Sequence, residues 1–214
     1  MKTRWWQRAV CAMVLLCTAS ALTQPALANA PRILLYGDSL LAGLGLPADQ
    51  SFMGQLQAAM NARGVDADLV NASVSGDTTA GGLARLDWTL ADRPDAVILG
   101  LGANDMLQGR PPAKARANLE AIMARLDELD VPVLLLGMKA NRGLGGDYVE
   151  QFDAIYPELA QEHGALLYPF FLEGVALNPE LNQPDGLHPN ADGVAVIVAG
   201  LMPAVKELVQ QVEP

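Results

Sequence analysis

The sequence predicts an α/β protein: one parallel sheet of five strands with helices on both faces. Three observations carry that expectation. Short apolar runs alternate with longer segments of helical periodicity, the order that builds successive βαβ units. The runs RILLYG and DAVILG are apolar almost throughout, as in strands covered on both faces. Polar, glycine-bearing stretches follow the strands, and ligands on such a sheet bind outside the carboxyl ends of its strands.

The elements follow in chain order. Arg32–Gly37 reads as a buried first strand. A helix begins at Ser51 as N-cap, lines up Phe52, Leu56, Ala59 and Met60, and ends at Gly64. Ala67–Asn71 is the second strand. Thr78–Ala91 is a helix with Leu83, Leu86 and Leu90 on one side, and Asp95–Gly100 is the third strand. Pro112–Leu129 is the clearest helix, its Leu119, Ile122, Met123, Leu126 and Leu129 recurring at helical spacing. Val131–Gly137 is the fourth strand. Phe152, Ile155, Tyr156 and Leu159 mark a helix over Asp147–Glu162, and Ala165–Tyr168 is a short fifth strand. The last helix runs from about Asn190 through Val194, Ile197, Val198 and Leu201, and Pro203 is expected to kink or break it. With no internal repeat, low-complexity tract or linker, residues 29–214 read as one domain.

Residues 1–28 read as a cleavable leader. Lys2, Arg4 and Arg8 precede an apolar run from Ala9 to about Leu22, and Ala26-Leu27-Ala28 supplies small residues at the −3 and −1 positions. Cleavage after Ala28 is favoured over Ala30, because Pro31 would follow the second cut. The run is too short for a membrane span of ~20 residues, so no membrane insertion is expected once the leader is gone. The expected location is the periplasm or the exterior. Removal of the leader takes three basic residues and moves the net charge from −10 to −13. A chain this acidic is a poor partner for nucleic acid. Both cysteines, Cys11 and Cys17, leave with the leader, which excludes disulfides, a cysteine nucleophile and cysteine-held metals. Two histidines remain, His163 and His188, too few for a histidine-rich metal site.

Four polar clusters fall at one edge of the sheet: Gly37-Asp38-Ser39-Leu40, Asn71 to Thr78 around Gly76, Gly100 to Asp105 around Asn104, and Asp185-Gly186-Leu187-His188-Pro189. Each residue alone has an ordinary reading. Ser39 suits a helix cap, Gly76 a turn, Asn104 a loop bonding its own backbone, and His188 an exposed loop. Together they suit acyl transfer. A serine nucleophile needs a base, the base needs an orienting carboxylate, and the oxyanion needs hydrogen-bond donors. Asp185 lies three residues before His188, so one turn holds both. His163 falls at a helix C-terminus, at the far end of the sheet, where histidines commonly cap or face solvent. Ser39 lacks the G-x-S-x-G context of the α/β-hydrolase nucleophile elbow.

These four blocks, in this order and spacing, resemble those of the SGNH (GDSL-type) hydrolases over essentially the whole mature chain. The segments from Asn71 to Thr78 and from Phe152 to Pro157 resemble most the secreted bacterial branch of arylesterases and thioesterase/lysophospholipases. The resemblance implies a flavodoxin-like three-layer α/β/α sandwich. It implies Ser39 as nucleophile, His188 as base and Asp185 as its partner, with Ser39, Gly76 and Asn104 as oxyanion donors. It implies no cofactor and no metal, although Asp77, Asp105, Asp185 and His188 together could pass for a hard-ligand site. Ala103 departs from relatives that carry a second glycine there.

The expected substrate contacts are Asp38, Leu40, Met106, Met138, Leu144 and Leu187. Short- to medium-chain esters and thioesters, aryl esters and lysophospholipids fit the resemblance, and a monomer or weak oligomer is expected. Two alternatives stand beside this reading: a carbohydrate O-deacetylase, which exposed aromatics beside the site would favour, and a non-enzymatic binding protein. Trp88 is the only tryptophan left in the mature chain.

Overall fold

The strands are β1 (Arg32–Gly37), β2 (Asp68–Asn71), β3 (Ala96–Gly100), β4 (Val133–Leu136) and β5 (Leu166–Tyr168) in the computed structural model, which describes residues 30–212. They pair in the order β2-β1-β3-β4-β5, and every pair is parallel. The helices are α1 (Ser39–Ala42), α2 (Phe52–Ala62), α3 (Thr79–Thr89), α4 (Ala103–Leu107), α5 (Pro112–Asp127), α6 (Gly146–Glu162) and α7 (Ala191–Gln210). Two 3₁₀ turns cover Leu90–Asp92 and Arg142–Leu144. The expected leader lies outside the described residues.

The strand order dictates the layers. The crossover from β1 to β2 runs one way along the sheet and those from β2 onward run the other. Right-handed crossovers therefore put α2 on one face and α3, α5 and α6 on the opposite one. The contacts agree: α2 packs on α7, while α5 packs on both α3 and α6. The direction reverses between β1 and β3, and a crevice opens at the carboxyl ends of strands flanking such a reversal. Ile33 to Tyr36, all of β3 and all of β4 are buried, which is why those runs carry no polar alternation. The core is one cluster that extends from Ile33 to Val209.

Local chemistry sets the helix ends. The Ser51 hydroxyl accepts the Gly54 N–H at 3.2 Å and starts α2, whose Phe52, Leu56 and Met60 turn inward. Several expected boundaries shift. The helix expected over Thr78–Ala91 has Thr78 as its cap and gives way at Leu90 to a 3₁₀ turn, so Leu90 is buried from that turn. Leu129 was expected on the buried face of its helix, but α5 ends at Asp127 and Leu129 is 42% exposed. Pro203 neither breaks nor ends α7, which runs through it to Gln210. Pro203 and Ala199, whose carbonyl loses its i+4 donor, are both on the exposed side, where water replaces the missing bond.

His163 is the C-cap of α6, as a helix C-terminus suggests, but its side chain is turned inward and only 9% exposed. Nδ1 lies 2.5 Å from Asp127 Oδ2 and Nε2 lies 3.2 Å from Glu120 Oε1, so the ring ties α6 to α5. Ionised carboxylates only accept, so both nitrogens carry hydrogens when both bonds are made. Burial opposes the charged ring, but the bonds to Asp127 and Glu120 outweigh it and the pKa is raised. A raised folded pKa stabilises fully below the free value of ~6.5 and loses that stabilisation as pH rises through the folded value. In melts of wild type and His163→Gln, the gap in Tm is expected to be widest near pH 6 and to close toward alkaline pH. A gap that grows with pH would contradict the assignment.

Candidate active site

β1 ends at Gly37, and the chain enters α1 within two residues. Asp38 makes this possible: its Oδ1 accepts the Leu40 N–H at 3.0 Å and caps the helix. Ser39, expected to be at most a cap by its ordinary reading, is instead the first helical residue, set at the sheet edge and 8% exposed. Asp38 was expected to touch substrate. The residue is 1% exposed, lining a void beside Leu40, with its side chain bonded to the Leu40 N–H and the Asn104 amide. Burial pushes its carboxyl up to about 6, and the Leu40 hydrogen bond only partly offsets that.

The segment after β2 turns back over Ser39. Val74 N–H donates to the Gly37 carbonyl at 3.0 Å, and Asp77 N–H to the Val74 carbonyl at 3.1 Å. Gly76 is the third residue of that four-residue turn, with φ +84°, while Ser75 has no positive φ. This is the pattern of a type II turn, which favours glycine at its third position. A Cβ at Gly76 would meet nothing within 4 Å, so the space beside it is open. Among the described residues, neither the Gly76 nor the Ser39 amide N–H has a protein acceptor.

After β3, Gly102 turns at φ +115° into α4 and carries Asn104 to the same place. A Cβ on Gly102 would stand 2.3 Å from the Tyr156 hydroxyl, which donates to the Leu101 carbonyl at 3.0 Å. Gly102→Ala is therefore expected to cost on the order of 1–3 kcal/mol from backbone strain alone, read as a fall in Tm. Adding Tyr156→Phe removes the hydroxyl but not the strain, so the double variant should recover only part of the loss. Full recovery would show that the backbone is not strained. Asn104 Nδ2 donates to the Asp77 carbonyl at 2.8 Å and to Asp38 Oδ2 at a longer 3.3 Å. The longer bond is the weaker one, and an incoming acceptor can replace it.

The histidine arrives from the loop before α7. Asp185 Oδ1 accepts the N–H groups of Leu187 (2.9 Å) and His188 (3.0 Å), and its Oδ2 lies 2.6 Å from His188 Nδ1. The two amides, and then the ring, hold the Asp185 carboxyl down at about 2. Asp185 is thus an acceptor, so Nδ1 carries the hydrogen and Nε2 is left with a lone pair. That lone pair faces Ser39 Oγ at 2.8 Å. Gln183 anchors the loop, its N–H donating to the His188 carbonyl (2.7 Å) and its Nε2 to the Leu44 carbonyl (2.8 Å).

The carboxylates that could pass for a metal site are each bound within the protein. Asp77 pairs with Arg85 at 2.6 Å, and Asp185 with His188. Asp105 is 1% exposed and accepts both the N–H and the hydroxyl of Thr79. Among the described residues, the one group with ligand atoms close enough for an ion is Glu120, Glu162 and His163, in the α5–α6 contact.

The expected apolar contacts divide. Leu40 and Met138, with Asp38, Leu101 and Phe171, line a water-sized void under the β1–α1 turn, and Met138 is itself buried. Met106 is half-buried, whereas Leu144 and Leu187 are 40% and 51% exposed. Val74 and Leu44 are exposed neighbours that sequence reasoning missed; Val74 could have been noticed as the one large apolar residue in a polar loop.

The sequence pattern of the GDSL-like Lipase/Acylhydrolase family matches residues 35–196. Esterase TesA of Pseudomonas aeruginosa is 39% identical over 188 residues, covering 87% of this chain and 92% of that protein. An arylesterase of Vibrio mimicus is 39% identical over 162 residues, 75% of this chain and 81% of its own. Thioesterase 1/protease 1/lysophospholipase L1 of Escherichia coli K12 is 37% identical over 183 residues, 85% and 86% of the two chains. A crystal structure of TesA superposes with a TM-score of 0.78, covering 83% of this chain and 99% of that one. The matched stretch holds Ser39, Gly76, Asn104, Asp185 and His188, and with these relatives it places the chain in the GDSL-like lipase/acylhydrolase family, as an ester hydrolase.

Proposed function

We propose that this ester hydrolase works through an acyl-enzyme on Ser39 and acts on short- to medium-chain carboxylic esters, aryl esters and thioesters, with lysophospholipids as a further substrate class. The carrying observation is the relay from Ser39 Oγ to His188 Nε2 at 2.8 Å and from Nδ1 to Asp185 at 2.6 Å, beside two unclaimed amides. His188 Nε2 takes the hydroxyl proton as Ser39 Oγ attacks the carbonyl carbon. Negative charge moves to the carbonyl oxygen, which accepts from the Ser39 and Gly76 amides and from Asn104 Nδ2. Collapse expels the alcohol or thiol, which leaves with the proton from Nε2. Water then attacks the acyl group with His188 as base, and the acid departs. Asp185 stays ionised throughout, holding the imidazole tautomer and offsetting the imidazolium charge.

The acyl chain is assigned to the apolar side chains Leu40, Met106, Leu144 and Leu187, of which Leu144 and Leu187 are 40% and 51% exposed. The deacetylase alternative gains no support from Trp88, which lies beside Arg32, Asp92 and Pro94. Residues 1–28 are assigned as an export leader, and Edman sequencing of the mature protein should begin at Asn29. Among the described residues, no helix is long and apolar enough to cross a membrane.

The test is a panel of p-nitrophenyl esters of increasing acyl length, acyl-CoA thioesters, a lysophosphatidylcholine and acetylated xylan. Turnover is expected on the first three. Activity should persist in EDTA, and an organophosphonate should inactivate the enzyme with its label on Ser39. Loss on chelation, restored by added metal, would overturn the serine mechanism, and turnover confined to acetylated xylan would overturn the substrate assignment.

A further inference from the structure

Arg85 lies in the second turn of α3, away from the triad, yet its guanidinium bonds two of the three segments that carry the oxyanion donors, and Asp77, which it grips, holds the third through Asn104. Nε donates to Asp77 Oδ2 at 2.6 Å, one Nη to the Ala72 carbonyl at 2.6 Å, and the other to the Gly37 carbonyl at 3.2 Å. The group sits over Tyr36, with its Cζ 4.1 Å from the ring centroid, and Tyr36 is anchored through its hydroxyl to the Gly82 carbonyl of α3. The side chains of Arg85 and Asp77 are 20% and 16% exposed, so water competes only weakly for these bonds.

The three acceptors have one thing in common. Gly37 is the last residue of β1, two before the Ser39 amide. Ala72 opens the loop that folds into the Gly76 turn. Asp77 follows Gly76 directly, and its own carbonyl holds Asn104 Nδ2 at 2.8 Å. The ladder between β1 and β2 ends at Leu35 and Asn71, just where these segments must stay aligned. The Arg85 fork continues that ladder with a side chain. It adds side-chain bonds beside the Ala72 N–H to Leu35 carbonyl and Val74 N–H to Gly37 carbonyl bonds that already link the two segments, and clamps the turn between them.

We propose that Arg85 is a positioning residue of the oxyanion hole, holding the Ser39, Gly76 and Asn104 donors in register through the Gly37 carbonyl, the Ala72 carbonyl and Asp77. The inference rests on the reading of those three groups as the oxyanion donors. Lysine cannot substitute here: a single ammonium point charge can pair with Asp77 but cannot present a planar fork to three acceptors. An ordinary helix-to-loop ion pair would instead make lysine an adequate replacement.

The experiment compares Arg85→Lys, Arg85→Met, Asn104→Ala and the Arg85→Lys/Asn104→Ala pair on one p-nitrophenyl ester, with Tm for each. Displacing a catalytic group by about 1 Å can cost ~10²-fold in rate, so kcat is expected to fall about 10- to 100-fold in Arg85→Lys while KM changes less than about 3-fold. In the Asn104→Ala background the same change should cost markedly less, because one of the donors it aligns is gone. Free guanidinium should restore part of the kcat of Arg85→Met. The more conservative Arg85→Lys keeps the test sound if Arg85→Met folds poorly. Wild-type kcat in folded Arg85→Lys, or losses that multiply fully with Asn104→Ala, would overturn the proposal and leave Arg85 a fold anchor. If Asn104→Ala itself leaves kcat unchanged, the donor assignment has failed, and the role of Arg85 falls with it.

Discussion

Ser39→Ala is expected to abolish ester hydrolysis while the protein stays folded. The change removes one oxygen whose side-chain partner is His188 Nε2, at a position 8% exposed on a helix start rather than within the apolar core. No core cavity opens, and the loss of one hydrogen bond is worth about 0.5–1.5 kcal/mol. For a domain of this size that is a shift in Tm of only a few degrees. The rate behaves differently. Without the nucleophile, only the donors and substrate binding remain, a residual ~10³–10⁴-fold over water. Circular dichroism melts and turnover of a p-nitrophenyl ester measure both sides. A purified variant turning over within ten-fold of wild type would remove Ser39 from the mechanism.

Asn104→Ala should lower kcat by ~10²–10³-fold with little change in KM, the effect of withdrawing one oxyanion donor. A rise in KM at constant kcat would mean that Asn104 binds the ground state instead. This variant also carries a structural cost that Ser39→Ala does not. The Asp77 carbonyl loses its 2.8 Å donor and the buried Asp38 carboxylate loses the amide at 3.3 Å. Asp38 is then harder to ionise, and a buried acceptor left unpaired costs about 1–3 kcal/mol. The Tm of Asn104→Ala should therefore fall more at pH 8, where Asp38 is charged, than at pH 5, where it is protonated.

Much of this architecture was legible because burial on both faces writes β1 and β3 as unbroken apolar runs, and because Leu119, Ile122, Met123 and Leu126 repeat at helical spacing. The triad was legible for a different reason: with two histidines in the chain, only His188 has a carboxylate within a turn of it on the sheet's carboxyl side. The short helices α1 and α4 were not legible, since four or five residues show no period. The path of α7 through Pro203 was hidden because it depends on which side of the helix faces water. The burial of Asp38 was hidden because a residue at a strand-to-helix turn can point to either side, and only the Asn104 amide and the Leu40 N–H decide it. Arg85 escaped notice because it lies on a helix, eight residues past the Asp77 it grips, and its carbonyl acceptors leave no trace in side-chain identity.

Ser39 and His188 are 149 residues apart in the chain. The nucleophile is made early and its base almost last, on a loop that α7 must seat before the two can meet. Partly made or partly folded chains therefore carry a serine with no proton acceptor and cannot attack the acyl groups around them. Catalytic competence therefore requires that α7 be in place. Recovery of activity during refolding should consequently lag behind burial of the sheet, which makes esterase turnover a clock for the arrival of the C-terminal helix.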